Sequence, residues 1–394
     1  MKALVAVDAQ LFCTPDGRVW AKTLYGYNFW IRYLNVFDSI DVVSRMEEVP
    51  EYVVKDYIES SGPNVSFRKL PMAIGMKQYL QRWGEFVSMA RHAVEGEKCA
   101  IIRIPSVSAF FVERQIINKH IPYCVEVVVD PETAYAENIG AKILFKYLLK
   151  KSVVRANGAS YVTQHALQAK YPAYASRYRE DSSHFETYYS SITLESSYFY
   201  RERDFKNHSK QYKIVHTANN FGNYVKGHKE VILVVKKLRE DGYDVSVEFI
   251  GDGVLRREFE AFAQDNNVQE HVFFSGLLSS SNEVREHLIN ADIFLFPTRA
   301  EGLPRAVIEA MAVGLPCVST PVNGIPELLE NEFMFEPTDV IGFAKKIEEL
   351  IDNPLKMEAC SIRNIKKAEE YQETLLTERR NEFYRKLSLL ALKE

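Results

Sequence analysis

Residues 291–316 read Ala291-Asp-Ile-Phe-Leu-Phe-Pro-Thr-Arg-Ala-Glu301-Gly-Leu-Pro-Arg-Ala-Val-Ile-Glu309-Ala-Met-Ala-Val-Gly-Leu-Pro316. The apolar run from Ile293 to Phe296 ends at a proline, which is typical of a strand buried on both faces of a parallel sheet. Further on, apolar residues recur at the spacing of a helix, namely at Val307, Ile308, Met311 and Ala312. Pro304 suits the first turn of that helix, where a missing N–H costs nothing. The stretch therefore predicts a buried strand, a tight turn that carries Glu301, and a helix that carries Glu309.

The start of the predicted helix is a candidate anion site. The backbone N–H groups of Leu303, Arg305 and Ala306 lie there without partners in the helix, beside the positive end of the helix dipole. Such an end binds anions, typically a phosphate. With Glu301 and Glu309 nearby, the segment suits a ligand that has both phosphates and hydroxyl groups, such as a nucleotide sugar. A second interpretation is that Glu309 only pairs with Arg305 one turn back and that Glu301 is a solvated loop residue.

The segment E-G-L-P-R-A-V-I-E-A-M-A-x-G-x-P resembles the donor motif of the retaining GT-B glycosyltransferases of family 4, the glycosyl transferases group 1. Many members of that group assemble bacterial polysaccharides and glycolipids. The resemblance implies that Glu301 lies near the donor sugar and that Glu309 binds the ribose hydroxyls of the nucleotide. It also implies an α/β protein of the GT-B fold, with two Rossmann-like doubly wound domains that face each other across a cleft.

The resemblance implies further donor-site residues in the second half of the chain. Lys226, which precedes a glycine, would contact the donor diphosphate and act with Glu301 as a catalytic residue. Asn220 stands where relatives usually have an arginine, so neutralisation of the diphosphate would depend on Arg18 or Arg305. The remaining residues expected at the nucleobase, the diphosphate and the sugar are Gly251, Leu277, Gly302, Leu303, Pro304 and Ala306.

Composition limits the classes of protein that need to be considered. A chain of 394 residues is too long for one core and predicts two domains. With 46% hydrophobic and 26% charged residues and a net charge of −4, it is neither a strongly basic nucleic-acid binder nor an acidic disordered chain. The five cysteines are scattered and lack metal-binding spacing, which favours reduced thiols in the cytoplasm. No apolar stretch approaches the ~18 residues of a membrane span. We therefore expect a cytoplasmic protein with no cofactor, no bound metal and no nucleic-acid partner.

The first part of the chain has the pattern of a doubly wound domain. A strand from Ala3 to Val7 is followed by a predicted long loop from Asp8 to Leu24, a helix and a second strand. Gly17 and Arg18 lie in that loop, where relatives carry glycines close to the phosphates and the acceptor. A simple surface turn is an equally good interpretation of the same residues. Asp130 follows a later strand, where many relatives have a His-Asp pair at the acceptor side; the histidine is absent here.

The predicted domains are 1–205, on the acceptor side, and 206–371, which binds the donor. A C-terminal helix at about 372–394 is expected to cross back to the first domain, as in other GT-B proteins. Ala159 to Thr163 is predicted as the last strand of the first domain, and residues 171–209 are predicted to be connecting loops.

Residues Lys142 to Arg155 form a cationic, amphipathic pattern with two interpretations. Such helices lie on membrane surfaces, which would suit a lipid-linked acceptor and a protein at the inner face of the membrane. Alternatively, the helix packs on the core and exposes only a basic edge.

Taken together, the sequence predicts a retaining glycosyltransferase that moves a hexose-type sugar from a UDP- or GDP-sugar to a sugar or lipid-linked acceptor. Capsule, lipopolysaccharide or exopolysaccharide synthesis is the expected setting. Two alternatives keep the fold: a GT-B phosphorylase or epimerase, and a non-catalytic scaffold that binds nucleotide sugars.

Overall fold

A computed structural model describes residues 1–22, 24–135, 138–206 and 211–393. The chain divides into two units. Met1–Tyr189 and the residues from Thr377 onward form the first unit, and Ser190–Leu376 form the second. The sequence predicted a division after residue 205.

The first unit is built on a mainly parallel sheet. Its strands are β1 Lys2–Cys13, β2 Val19–Ala21, β3 Ser39–Glu48, β4 Ile58–Glu59, β5 Val65–Leu70, β6 Ala100–Ile104, β7 Tyr123–Val127, β8 Gly158–Tyr161 and β9 Phe185–Tyr188. The parallel strands have the order β5-β3-β1-β6-β7-β8-β9, and β2 and β4 add an antiparallel branch beside β1. Ala3–Val7 in β1 is almost completely buried, as expected for a central strand covered on both faces.

Helices connect these strands in the first unit. They are α1 Tyr27–Leu34, α2 Gly75–Gln81, α3 Trp83–Ala93, α4 Val107–Asn118, α5 Pro131–Ala134, α6 Ile139–Arg155, α7 Ala166–Lys170 and α8 Tyr174–Arg177. The apolar face of α3 and α4 packs on the sheet through Phe86, Ala90, Phe111 and Val112. Strand and helix alternate, which is the doubly wound pattern that the sequence predicted.

The second unit is a smaller parallel sheet with helices on its faces. Its strands are β10 Gln211–Asn220, β11 Asp244–Asp252, β12 Val272–Gly276, β13 Ile293–Phe296 and β14 Cys317–Ser319, in the order β12-β11-β10-β13-β14. Its helices are α9 His228–Glu240, α10 Arg256–Asp265, α11 Ser281–Ile289, α12 Arg305–Ala312, α13 Val340–Ile351 and α14 Pro354–Ala368. The last helix, α15 Glu373–Ala391, begins in this unit and continues into the first. None of the helices in the described ranges has the length and apolarity that a membrane span requires.

The predicted long loop after the first strand is wrong. β1 continues to Cys13 after an irregularity in its register, and β2 follows as the second arm of a hairpin. The reason is burial: Leu11, Phe12 and Val19 are buried apolar residues, and the ring of Phe12 packs on Tyr57 with centroids 5.1 Å apart. Only the residues around Gly17 remain as the turn.

The prediction of the last strand of the first domain is also wrong. β9 follows β8 and pairs with it in parallel, so the sheet continues into the segment predicted to be connecting loops. Phe185 at the start of β9 is 1% exposed and contacts Phe383 of α15 edge to face.

The second unit begins before the predicted boundary, because Arg203 binds the segment that precedes residue 206 to the rest of this unit. Its guanidinium donates to the carbonyls of Val313 and Leu288, both at 2.8 Å, and to that of Ala291. Residues 190–205 therefore pack with the helices and strands that follow them in the chain.

Candidate active site

A cavity of about 560 Å³ lies at the carboxyl ends of the strands of the second unit. The strand order reverses between β10 and β13, and doubly wound sheets bind ligands in the crevice at such a switch point. The walls come from the ends of β10, β11 and β13 and from the amino ends of α11 and α12. The predicted donor residues that line the cavity are Asn220, Lys226, Glu301, Pro304, Arg305, Ala306 and Glu309.

Lys226 and Glu301, the two residues predicted to be catalytic, form an ion pair inside this cavity. Both side chains are largely shielded, with 29% and 15% of their surfaces exposed. The backbone holds them together, because the N–H of Arg299 donates to the carbonyl of Val225 at 2.8 Å. The loop before α9 is thereby fixed against the end of β13, and the two charges converge on one side of the cavity.

Gly227 is required for this arrangement. It has a left-handed backbone, with φ of +77°, and it comes directly before α9. A Cβ at this position would lie 2.3 Å from the carbonyl oxygen of Pro297, which is backbone and has no room to yield. The glycine thus lets the loop that carries Lys226 approach β13.

A second loop braces the turn that carries Glu301. The side-chain amide of Asn323 donates to the carbonyl of Glu301 at 2.5 Å, and the N–H of Gly324 donates to the carbonyl of Gly302 at 3.0 Å. Glu301 is therefore held by its backbone as well as by its ion pair with Lys226.

The amino end of α12 opens into the cavity. The helix begins at Arg305, and Pro304 precedes it in an extended conformation instead of occupying its first turn. Among the described residues, no side chain caps this end. The N–H groups of Arg305 and Ala306 belong to the first turn, which is the positive end of the helix dipole. The geometry is suited to a ligand with negative charge.

Glu309 lies one turn further along α12, partly buried in the cavity wall. Burial raises its pKa to about 7, although the nearby charge of Arg305 acts in the opposite direction. Within the described part of the chain, no group lies at hydrogen-bond or ion-pair distance from its carboxyl. The alternative in which Glu309 serves only to pair with Arg305 therefore has no ion pair to support it.

Two buried histidines beneath Lys226 add no positive charge. His216 of β10 and His228 of α9 stack edge to face, with ring centroids 4.7 Å apart. Burial lowers the pKa of His216 to about 4 and that of His228 to about 2. Both rings are neutral at pH 7, so the positive charge that lines the cavity comes from Lys226 and Arg305.

The structure also places in the cavity wall residues that the sequence analysis missed. Thr217 is buried near the end of β10, and Ser280 caps α11 by accepting from the N–H of Glu283 at 3.2 Å. The spacing Ser-x-x-Glu at 280–283 is a capping-box signal that could have located this helix end. Tyr198, in a short 3₁₀ turn at Ser196–Tyr198, also lines the cavity.

Four predicted donor residues are not themselves part of the described cavity wall but lie next to wall residues in the sequence. They are Gly251, Leu277, Gly302 and Leu303. Gly251 has φ of +136°, and a Cβ there would collide with the carbonyl of Ala218, so its role in the fold is close packing between two strand ends. The side chain of Leu277 is 65% exposed, whereas that of Leu303 is buried.

The three predicted acceptor-side residues lie in the first unit. Gly17 forms the turn of the β1–β2 hairpin, with φ of +83°, and the Arg18 guanidinium pairs with Asp16 at 2.5 Å. Asp130 is completely buried and caps α5, accepting from the N–H of Glu132 at 2.9 Å. Its carboxylate also accepts from Lys170 and from Tyr171, both at 2.7 Å. In this structure, Asp130 thus connects α5 to the carboxyl end of α7 and to the residue that follows it.

No group of three His, Cys, Asp or Glu side chains among the described residues could hold a metal ion.

Comparison with known proteins assigns most of the second unit to a family. Residues 200–368, which contain the whole cavity wall except Tyr198, match the family described as glycosyl transferases group 1. The chain thus carries a glycosyl transferases group 1 domain. It is 28% identical to protein CapJ of Staphylococcus aureus over 380 residues, which cover 91% of this chain and 92% of CapJ. It is 36% identical to the putative colanic acid biosynthesis glycosyltransferase WcaL of Escherichia coli K12, over 27% of each chain.

Solved structures show that the chain has the GT-B fold. Sucrose-phosphate synthase from Thermosynechococcus elongatus superposes with a TM-score of 0.72 at 15% identity, over 99% of this chain and all of that one. Anabaena HepE, solved in complex with UDP and glucose, superposes with a TM-score of 0.66 at 14% identity, over 99% and 100% of the two chains.

Proposed function

We propose that this glycosyltransferase transfers a hexose-type sugar from a nucleotide-diphosphate sugar with retention at the anomeric carbon. The observation that carries the proposal is the convergence, in one cavity, of the Lys226–Glu301 pair, the open amino end of α12 and the carboxyl of Glu309. A cation and a helix end suit a diphosphate, and a carboxylate suits the hydroxyl groups of a ribose.

Each group has a distinct task in this proposal. Lys226 and the first-turn N–H groups of α12 stabilise the charge that develops on the departing diphosphate, which is electrostatic catalysis without a protein-bound metal. Glu301 orients the donor sugar, and Glu309 binds the ribose. Arg305, exposed at the first position of α12, supplies the second cation that Asn220 does not provide.

The names of similar proteins indicate the classes of donor and acceptor. HepE is described in complex with UDP and glucose, which favours a UDP-sugar donor over a GDP-sugar. WcaL is named for colanic acid biosynthesis, which favours a sugar or lipid-linked acceptor in the assembly of a bacterial surface polysaccharide. CapJ, which the chain matches over most of its length, carries a name that states no substrate.

The outer face of α6 supports a membrane contact for a lipid-linked acceptor. Ile139, Ile143 and Tyr147 form a stripe at helical spacing and are 72%, 64% and 53% exposed. Lys150 and Lys151 follow the stripe toward the carboxyl end of the helix, and the Lys151 ammonium lies 4.3 Å from the Tyr147 ring centroid. A helix that only packs on the core would not need three large apolar side chains in water.

Binding of nucleotides tests the donor site. We expect UDP, present at ~100 times its dissociation constant, to stabilise the protein by about 2.7 kcal/mol in thermal unfolding, with GDP and ADP as comparisons. Lys226→Gln should reduce the stabilisation. Lys229→Gln is the matched control, because that lysine pairs with Glu258 at 2.6 Å outside the cavity wall. Equal shifts in the two variants would contradict the assignment of Lys226.

Turnover distinguishes the proposal from its alternatives. Release of UDP from a UDP-sugar, with unchanged rate in EDTA, supports a metal-independent transferase. Binding without turnover in the presence of a range of acceptors would support a scaffold. A sugar phosphate that forms only when phosphate is added would support a phosphorylase.

A further inference from the structure

Tyr198 lies outside the region that matches the glycosyltransferase family but forms part of the wall of the donor cavity. It is 5% exposed, and its hydroxyl is completely buried without a hydrogen-bond partner among the described residues. A buried hydroxyl without a partner is destabilising, because nothing compensates for the hydrogen bonds with water that it lost on folding. Phenylalanine would therefore be more stable than tyrosine at this position, unless the hydroxyl has a function.

The segment that carries Tyr198 is fixed in place. The Arg285 side chain of α11 donates to the carbonyl of Tyr198 at 2.7 Å, and the N–H of Tyr200 donates to the carbonyl of Ala312 at 3.1 Å. The backbone around Tyr198 is thus anchored to both helices whose amino ends open into the cavity, α11 and α12.

Tyr198 and Glu309 line the same cavity. Burial is the main cause of the raised pKa of Tyr198, and the charge of Glu309 is the next cause, so the two side chains lie within electrostatic range. Neither makes a hydrogen bond within the described part of the chain. The other charged groups around them are Arg285 on α11, Arg305 on α12, and the Lys226–Glu301 pair in the loops before α9 and after β13.

We propose that Tyr198 is a positioning residue that donates its hydroxyl to the Glu309 carboxylate when that carboxylate accepts the two ribose hydroxyls of the donor. A carboxylate has about four lone-pair sites, so it can accept from a diol and a phenol together. Tyr198 favours the ionised, correctly oriented form of Glu309, which burial alone disfavours. This inference rests on the proposed function, since it assigns a partner to the ribose-binding group of the same site.

The test compares Tyr198→Phe with the wild type by calorimetric titration of UDP between pH 5.5 and 8.5. Loss of a hydrogen bond to a charged group should raise the dissociation constant roughly tenfold at pH 7. It should also move the midpoint of the pH dependence up by roughly one pH unit, because Glu309 then ionises less readily. A merely structural role would leave that midpoint in place.

Two controls make the result specific. Tyr200→Phe makes the same chemical change two residues away, on a side chain outside the cavity wall, and should leave both quantities unchanged. For 2′,3′-dideoxy-UDP, Tyr198→Phe should bind like the wild type, because no ribose diol requires Glu309. Both variants are checked by circular dichroism before titration.

The outcomes separate this inference from the proposed function. If Glu309→Gln weakens UDP binding but Tyr198→Phe changes neither the affinity nor the pH midpoint, the role of Tyr198 is overturned and the donor site stands. If Glu309→Gln binds UDP like the wild type, the donor-site assignment fails together with the inference.

Discussion

The fold and the proposed ligand favour opposite protonation states of Glu309. Burial favours its neutral form and raises its pKa to about 7, whereas a ribose-binding carboxylate must be ionised. The stability that the neutral carboxyl contributes is fully present below the unfolded pKa of about 4.3 and is lost as the pH rises through 7. At pH 8 the wild type therefore bears a cost of up to about 3 kcal/mol.

We predict that Glu309→Gln stabilises the protein at pH 8 and not at pH 4.5, while it weakens nucleotide binding. The amide has nearly the same shape but no charge to bury. Urea unfolding of the free protein at both pH values measures the effect. Glu240→Gln, which removes an exposed charge from α9, is the control. A stability gain that is equal at the two pH values would show that the charge of Glu309 is not its cause.

At the residue scale, the sequence revealed the groups that lie inside a motif with a recognisable strand and helix. Lys226, Glu301 and Glu309 are attached to such elements, and the structure brings all three into one cavity. Tyr198 carries no such signal. It reaches the cavity from a 3₁₀ turn whose position depends on Arg285, 87 residues later in the chain.

At the element scale, α6 allows a direct test of the proposed membrane contact. Its core side is formed by Phe145, Leu149 and Val153, so exchange of residues on the opposite face should not disturb packing. Complete burial of one large apolar side chain is worth about 1.5–3 kcal/mol. Removal of two such side chains from a membrane interface should therefore lower vesicle binding at least roughly tenfold.

We predict this loss for Ile143→Ser/Tyr147→Ser in sedimentation with vesicles that contain anionic phosphatidylglycerol, and little binding of any variant to neutral phosphatidylcholine vesicles. The matched control is Ile341→Ser/Leu355→Ser, which removes apolar side chains with 56% and 63% exposure from helices of the second unit. Equal loss in both double variants, or no loss in either, would contradict a specific contact through α6.

Elements were predicted well where apolar periodicity alone determines them and less well where distant contacts do. The strand β13 and the helix α12 follow from residues 291–316 alone. The extension of β1 and the strand β9 do not, because their polar and aromatic residues become strand only by pairing with β3 and β8. Because the partner strands are distant in the sequence, the local residue pattern does not reveal such pairing.

At the scale of the whole molecule, two doubly wound sheets could be inferred from the alternation of strands and helices, but the division of the chain could not be located by composition. The segment before residue 206 is charged and rich in tyrosine and serine, as a linker would be. Its membership in the second unit depends on the three carbonyls that Arg203 reaches.

The end of the chain is joined to the first unit by a buried carboxylate, Glu126 of β7. It accepts from Arg103 at 2.6 Å and from the hydroxyls of Tyr33, Tyr189 and Tyr384 at 3.0, 2.8 and 2.6 Å. Four regions far apart in sequence, including the C-terminal helix α15, thus share one acceptor. Burial alone would raise the pKa of Glu126, but Arg103 and the tyrosine hydroxyls outweigh it and the pKa is lowered.

We predict that Glu126→Gln destabilises the first unit by about 3–5 kcal/mol at pH 7, since it leaves Arg103 buried without its counter-charge. Because the folded pKa is lowered, the contribution of the carboxylate is present above about pH 4.3 and is lost as the pH falls through the folded value. The cost of the substitution should therefore shrink in acid. Urea unfolding at pH 7 and at successively lower pH, followed by far-ultraviolet circular dichroism, measures this trend.

Glu113→Gln is the matched control for Glu126, because Glu113 is a buried glutamate of the same unit with hydroxyl donors and no ion pair among the described residues. It accepts from Tyr123 at 3.1 Å and from Ser152 at 2.7 Å, and burial raises its pKa. Because the pKa of Glu113 is raised, its contribution to stability depends on pH in the opposite direction to that of Glu126. The neutral carboxyl stabilises the fold below about pH 4.3, and that stability is lost as the pH rises. Glu113→Gln should hence cost less at pH 7 than at pH 4, opposite to Glu126→Gln. If both variants followed the same pH trend, the counter-charge of Arg103 would not be what distinguishes the two sites, and the C-terminal helix would be held by apolar packing instead.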